Sequence, residues 1–256
     1  MSYIRDQVMV LKKMPMRELD RQYFLYGLEH GFMVAVARGA MKTQAKQTAL
    51  LEPFAFADVM IAKGKAYDHL AVAIRSKGNK RFATIGAYAI AGAFSDLCLK
   101  LLKPGVADER IFRLWEEFCL VLAQFKDEIS SIRAQLLFST ASLRLLDLLG
   151  YGSYFKACAH CGQISGPTEI FYAPDRNGLI CSDCRQIVRE TLIKVPAYAM
   201  NLIQFLRSAS FNDVMRITAQ VDLLETVIVM TREICKHAPL DREPHGFTSI
   251  GKILSL

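Results

Sequence analysis

Two Cys-x-x-Cys pairs, Cys158-Ala-His-Cys161 and Cys181-Ser-Asp-Cys184, stand 19 residues apart, and nothing else in the 256-residue chain restricts its folding as much. Two residues between cysteines let both sulfurs turn toward one point, and two such turns complete a tetrahedron around Zn²⁺. Gly162 follows the first pair and supplies the conformational freedom of a tight turn. Four thiolates leave no open coordination position for water or substrate, so the spacing predicts one structural zinc ion on Cys158, Cys161, Cys181 and Cys184. A pair of disulfides would need an oxidising compartment, and a redox dithiol would need one pair in a βαβ setting, not two. The N-terminal MSYIRDQVMV lacks the basic start, apolar middle and cleavage site of a secretory signal, which points to a reducing cytosol. His160, between the first two cysteines, receives no ligand role. Cys98, Cys119 and Cys235 lie in apolar helical surroundings and read as small core residues.

The pattern upstream of the cysteines changes once. Segments 4–13, 20–28, 32–38, 54–62 and 66–74 are rich in β-branched and aromatic residues and are bounded by turns such as Glu29-His30-Gly31 and Lys63-Gly64-Lys65. They predict a small five-stranded barrel over 1–80 of the OB type, with an SH3-like barrel as the alternative. From Arg81 the pattern is helical: 81–102 ends at Lys103-Pro104-Gly105, and 108–125 and 131–149 repeat apolar residues at helical spacing. The chain then reads as irregular through the cysteine pairs and as helical again from about Asp183. Ser210 with Asp213 resembles a capping box opening a helix that runs to about Lys236, with Val214, Ile217, Val221, Leu224 and Ile228 on one face. The expectation is an α+β chain: a barrel over 1–80, then an all-α domain over 81–256 carrying a zinc loop at about 156–186. The longest uncharged apolar run, 82–94, spans 13 residues, against about 20 for a membrane helix, so no membrane role is expected.

Charge separates along the chain. Residues 1–81 carry 14 Lys and Arg against 7 Asp and Glu, whereas the remainder holds 18 of each. Scattered lysines often mark only a solvated face, but segregation this complete favours an acidic partner, nucleic acid being the commonest. The candidate phosphate contacts are Arg17, Arg21, Arg38, Lys42, Lys46, Lys63, Lys65, Arg75, Lys77, Lys80 and Arg81. Tyr23 and Phe32 are candidate stacking platforms for bases, although an aromatic in a barrel strand is more often core. No Gly-x-x-x-x-Gly-Lys-Ser/Thr loop and no His-Glu-x-x-His motif occurs. The carboxylates Glu116, Glu117, Asp127 and Glu128 have the spacing of a solvated helix face, and no catalytic residue is assigned.

Several local segments, in order, resemble the RecO family of bacterial recombinational repair proteins. They are Glu29-His30-Gly31 leading into Val36-Ala37-Arg38-Gly39-Ala40, then Leu51-Glu52-Pro53-Phe54, then Leu148-Leu149-Gly150-Tyr151 before Cys158-Ala-His-Cys161-Gly162, and Gly178-Leu-Ile-Cys181. Asn177 stands where the family often has glycine, and Thr248 to Lys252 is only loosely similar to the family's closing segment. The resemblance implies a non-enzymatic DNA repair and recombination mediator of the bacterial cytoplasm and nucleoid. Such a protein binds single- and double-stranded DNA, anneals complementary strands, and acts with RecR and the C-terminal tail of single-stranded DNA-binding protein to assist RecA loading. The rival readings are a zinc-ribbon protein of RNA or transcription complexes and a metal-dependent enzyme with a dispersed site.

Overall fold

The computed structural model describes residues 2–41, 50–76, 81–163 and 169–240, together with 244, 246 and 247. It divides into two compact units, Met1–Glu128 and Ile129–Leu256.

The first unit opens with β1 (Tyr3–Pro15), β2 (Arg21–Gly27), β3 (Gly31–Ala37), β4 (Phe56–Ala62) and β5 (Asp68–Arg75). They close into a barrel in the order β1-β2-β3-β5-β4, with β3 and β5 parallel and the other pairs antiparallel. Closure rests on the long first strand. Its N-terminal part, Tyr3 to Met9, pairs with β4, and Val8 to Pro15 pairs with β2, with a register shift between Val10 and Lys12. Such a bulge bends a strand and increases its twist, which lets one strand serve both sides of a barrel. Inward positions fill the interior with Val8, Val10, Tyr23, Leu25, Met33, Ala35, Val59 and Ile61. Tyr23 is fully buried and Phe32 is buried as well, so neither is a stacking platform. Alternation along strands that close into a barrel turns Tyr23 inward, and burial raises its hydroxyl pKa.

Two helices complete this unit. α1 (Ile85–Leu101) starts at Thr84, whose hydroxyl accepts from the Ala87 amide, and α2 (Glu109–Leu122) starts at Asp108, whose carboxylate accepts from the Arg110 amide. α1 packs on β1, and the Ser95 hydroxyl donates to the Leu11 carbonyl at 2.8 Å, inside the bulge. α2 is tied to the barrel by Tyr26, whose hydroxyl donates to the Asp108 carbonyl at 3.1 Å and accepts from its amide at 3.0 Å. Trp115 stacks on Phe54 and packs against Phe94. Gly31, at φ +64°, has the Val106 carbonyl 2.1 Å from where a Cβ would sit, so only glycine fits.

The second unit is built on α3 (Ser131–Leu148), α5 (Ala197–Ser208) and α7 (Val221–Cys235), which pack on one another. Between α3 and α5 the chain is not irregular. β6 (Tyr154–Cys158), β7 (Ile170–Ala173), β8 (Gly178–Cys181) and β9 (Ile193–Val195) form a sheet in the order β6-β8-β7-β9. The expected helix from Asp183 is a single turn, α4 (Ser182–Arg185), and helix proper resumes only at Ala197. The helix expected from Ser210 to Lys236 is also divided. Ser210 caps the four-residue α6 (Phe211–Val214), and α7 begins at Val221. The break has a tertiary cause: the Arg133 guanidinium donates to the carbonyls of Met215 and Ile217, acceptors that a continuous helix would need.

Candidate metal centre and nucleic-acid face

Each cysteine of the two pairs is placed by a short element. Cys158 ends β6, Cys181 ends β8, Cys184 lies in α4, and Cys161 lies in the turn after β6. In that turn Gly162 adopts φ +74° and its amide donates to the Cys158 carbonyl at 2.9 Å. The four sulfurs all lie within 4.8 Å of one another and could hold a metal ion, and the Cys161 and Cys181 sulfurs are 3.9 Å apart. A tetrahedron of metal–sulfur bonds of about 2.3 Å has edges of about 3.8 Å, so the donor set suits a soft tetrahedral ion. Cys158, Cys181 and Cys184 are buried with Phe171, Ile180 and Val188, whereas Cys161 is exposed.

Backbone amides prepare the Cys158 sulfur for a cation. The amides of His160 and Cys181 each donate to the Cys158 sulfur at 3.4 Å. Burial pushes the Cys158 thiol up, but the amides of Cys161, Cys181 and His160 outweigh it and bring the pKa down to about 6. Burial pushes the neighbouring Cys184 thiol up, and so does the charge on Cys158. The other three cysteines are buried away from the cluster; burial raises the thiols of Cys98 and Cys119 well above their ordinary value.

Five of the candidate phosphate contacts gather at one place on the barrel. Arg21 pairs in register with Ala37, and the Gly39 amide donates to the Asp20 carboxylate at 2.8 Å, which joins the β1–β2 turn carrying Arg17 to the end of β3. The Arg38 guanidinium lies 3.3 Å from His69 Nε2, and Ala35 pairs with Asp68, which joins β3 to the start of β5. Asp68 in turn takes Lys63 at 2.7 Å, in the turn that also carries Lys65. Arg17, Arg38, Lys63 and Lys65 are exposed and Arg21 is half-buried, so contiguous elements bring all five to one edge. Asp20, Asp68 and His69 share this edge. Their place there depends on barrel closure, which linear spacing does not reveal.

Arg75 ends β5 and Arg81 lies beyond it, separated from the start of that strand by about 20 Å of chain. Lys42, Lys46, Lys77 and Lys80 lie outside the described residues. The side chain of Arg75 is likewise outside the description.

Residues 1–76 match the family model described as Recombination protein O N terminal, and residues 83–238 match Recombination protein O C terminal. The chain belongs to the RecO family. Among its relatives, the DNA repair protein RecO of Dehalococcoides mccartyi is 24% identical over 242 residues, covering 94% of this chain and 92% of the relative. That of Rubrobacter xylanophilus is 28% identical over 198 residues, 77% of each chain. That of a Nocardioides species is 29% identical over 188 residues, 71% of this chain and 74% of the relative. The basic edge lies in the RecO N-terminal match and all four clustered cysteines lie in the C-terminal match. Among the described residues of this RecO chain, no helix is long and apolar enough to cross a membrane.

Proposed function

We propose that this member of a family of DNA repair proteins is a recombination mediator that binds single- and double-stranded DNA through its barrel and anneals complementary strands. With RecR and the C-terminal tail of single-stranded DNA-binding protein it assists RecA loading, in a bacterial cytoplasm and at the nucleoid. The observation that carries the reading is the paired RecO match on a chain whose first third holds the whole excess of positive charge.

In this reading residues 1–80 are the nucleic-acid-binding domain and 81–256 the helical domain that carries protein contacts. The contacts to phosphate come from Arg17, Arg21, Arg38, Lys63 and Lys65 at the joined edge, with Lys42, Lys46, Arg75, Lys77, Lys80 and Arg81 extending the basic surface. Cations that neutralise phosphates on two strands at once lower the repulsion between them, so complementary bases pair without nucleotide hydrolysis. No covalent step is involved, and the protein is not an enzyme in this reading.

The ion held by Cys158, Cys161, Cys181 and Cys184 is zinc, because four thiolates at tetrahedral spacing suit it and fill its coordination. When bound it supplies structure only, tying the turn after β6 to the end of β8. The test is annealing of complementary oligonucleotides, naked and coated with single-stranded DNA-binding protein, with the wild type and with Arg21→Ala/Arg38→Ala. Faster annealing by the wild type, lost in the double variant, is expected. No acceleration, or equal binding to RNA with none, would favour the rival RNA reading.

A further inference from the structure

We propose that Cys161 is a site of oxidative modification, and that hydroperoxides convert it to a disulfide with Cys181 and thereby expel the metal ion. The inference rests on the metal reading above, and it concerns how the four sulfurs differ in exposure. Three are buried and form part of a small apolar core, while Cys161 alone of the four is exposed. A structural thiolate shielded on all sides is inert, whereas an accessible one is open to attack by a two-electron oxidant.

A resolving partner is already in place. The Cys181 sulfur lies 3.9 Å from that of Cys161, on the other Cys-x-x-Cys pair, so the cross-link would join the two halves of the site. In the first step the Cys161 thiolate, a hydroperoxide and one proton give the sulfenic acid and an alcohol, or water from hydrogen peroxide. The electron pair leaves sulfur for the oxygen–oxygen bond, which breaks. In the second step the Cys181 thiolate attacks the sulfenic sulfur, and with one proton the hydroxyl leaves as water. Two thiolates are oxidised and one peroxide is reduced. Cys158 and Cys184 remain as two ligands, too few to close a tetrahedral site.

The turn that carries Cys161 is anchored mainly through Cys158, by the Gly162 amide on the Cys158 carbonyl and the Cys158 amide on the Gln163 carbonyl at 2.9 Å. Oxidation at Cys161 therefore leaves β6 paired with β8, with the tip of the turn held to the end of β8 by the cross-link instead of by the ion. A DNA repair protein meets hydroperoxides under the same conditions that damage DNA, so its metal loop would report the oxidant directly.

The experiment uses the full chain. Elemental analysis first measures its metal content; hydrogen peroxide is then added, and released zinc is followed with a chromophoric chelator alongside free-thiol titration and peptide mapping. The expected result is release of the ion with loss of about two thiols per ion and a peptide carrying Cys161 linked to Cys181. Cys161→His keeps a nitrogen ligand, and release from it should slow at least about tenfold. An ion retained while the surface methionines oxidise, a first disulfide joining any other pair, or equal release from Cys161→His would overturn the proposal. A chain that contains no metal as purified refutes the metal reading instead. In that case the peptide map of the peroxide-treated chain still decides whether Cys161 pairs with Cys181.

Discussion

Asn177 shows how much one position can carry. It sits in the left-handed region at φ +47°, after a 3₁₀ turn over Pro174–Arg176, a conformation that glycine and asparagine adopt more readily than other residues. The asparagine does more than tolerate it. Its carboxamide oxygen accepts from the hydroxyls of Tyr172 and Ser153, and its nitrogen donates to the Tyr151 carbonyl at 3.1 Å. Asn177→Ala combines left-handed strain of about 1–2 kcal/mol with polar groups left unpaired. It should lower thermal stability clearly more than Asn177→Gly, which loses only the bonds; equal melting temperatures would contradict this account. At Asp108 the prediction is one of pH. The Arg110 guanidinium holds its carboxyl below the usual carboxylate range, so its capping contribution is fully present above the ordinary aspartate pKa near about 3.9. The contribution is lost as pH falls through the lower folded value. Asp108→Ala should therefore cost about 1 kcal/mol at neutral pH, with the gap to wild type in chemical denaturation closing toward pH values well below that of free aspartate.

Among elements, the legibility of the sequence followed segment length. Strands of seven to thirteen residues show their alternation, and α1 to α3 show helical spacing between clear caps and stops, so the barrel and the first three helices are readable without coordinates. The sheet around the cysteines is not, because β9 has three residues and β7 and β8 four each, too few for any period to register. The division of the last helix was hidden for another reason: it depends on Arg133, 82 residues before Met215 in the chain. For the candidate site, the four cysteines could be named from spacing alone. The partners that lower the Cys158 thiol could not, since they are backbone amides. The bulge in β1 offers a direct test of element packing. Ser95→Ala strips the Leu11 carbonyl of its buried donor and should cost about 1–3 kcal/mol, read as an earlier urea midpoint; no shift would mean that water replaces the hydroxyl. Chelation, or Cys181→Ser, should destabilise the sheet of β6 to β9, since metal binding contributes folding free energy. Hydrogen exchange should then show lost protection at β7 and β8 while the barrel amides stay protected.

At the scale of the whole molecule, each unit is associated with a separate part of the proposed activity, charge in the first and the metal cluster in the second. DNA affinity should fall with salt at a log–log slope of about −0.7 per phosphate neutralised on single strands. Arg21→Ala/Arg38→Ala should flatten that slope by about 0.7 for each phosphate that the variant no longer neutralises, and an unchanged slope would place the phosphates elsewhere on the basic surface. The pairing of Tyr3 with Ala62 also bears on how such a chain is made. Of the barrel strands, β1 is synthesised first, yet it is the one that closes the barrel, and the part of it that pairs with β4 must wait for β4 to emerge. Until then the β1 edge is exposed to other chains, a hazard of pairings distant in sequence. Slowing synthesis between β3 and β4 should therefore raise aggregation of the nascent protein, whereas a pause after β5 should not.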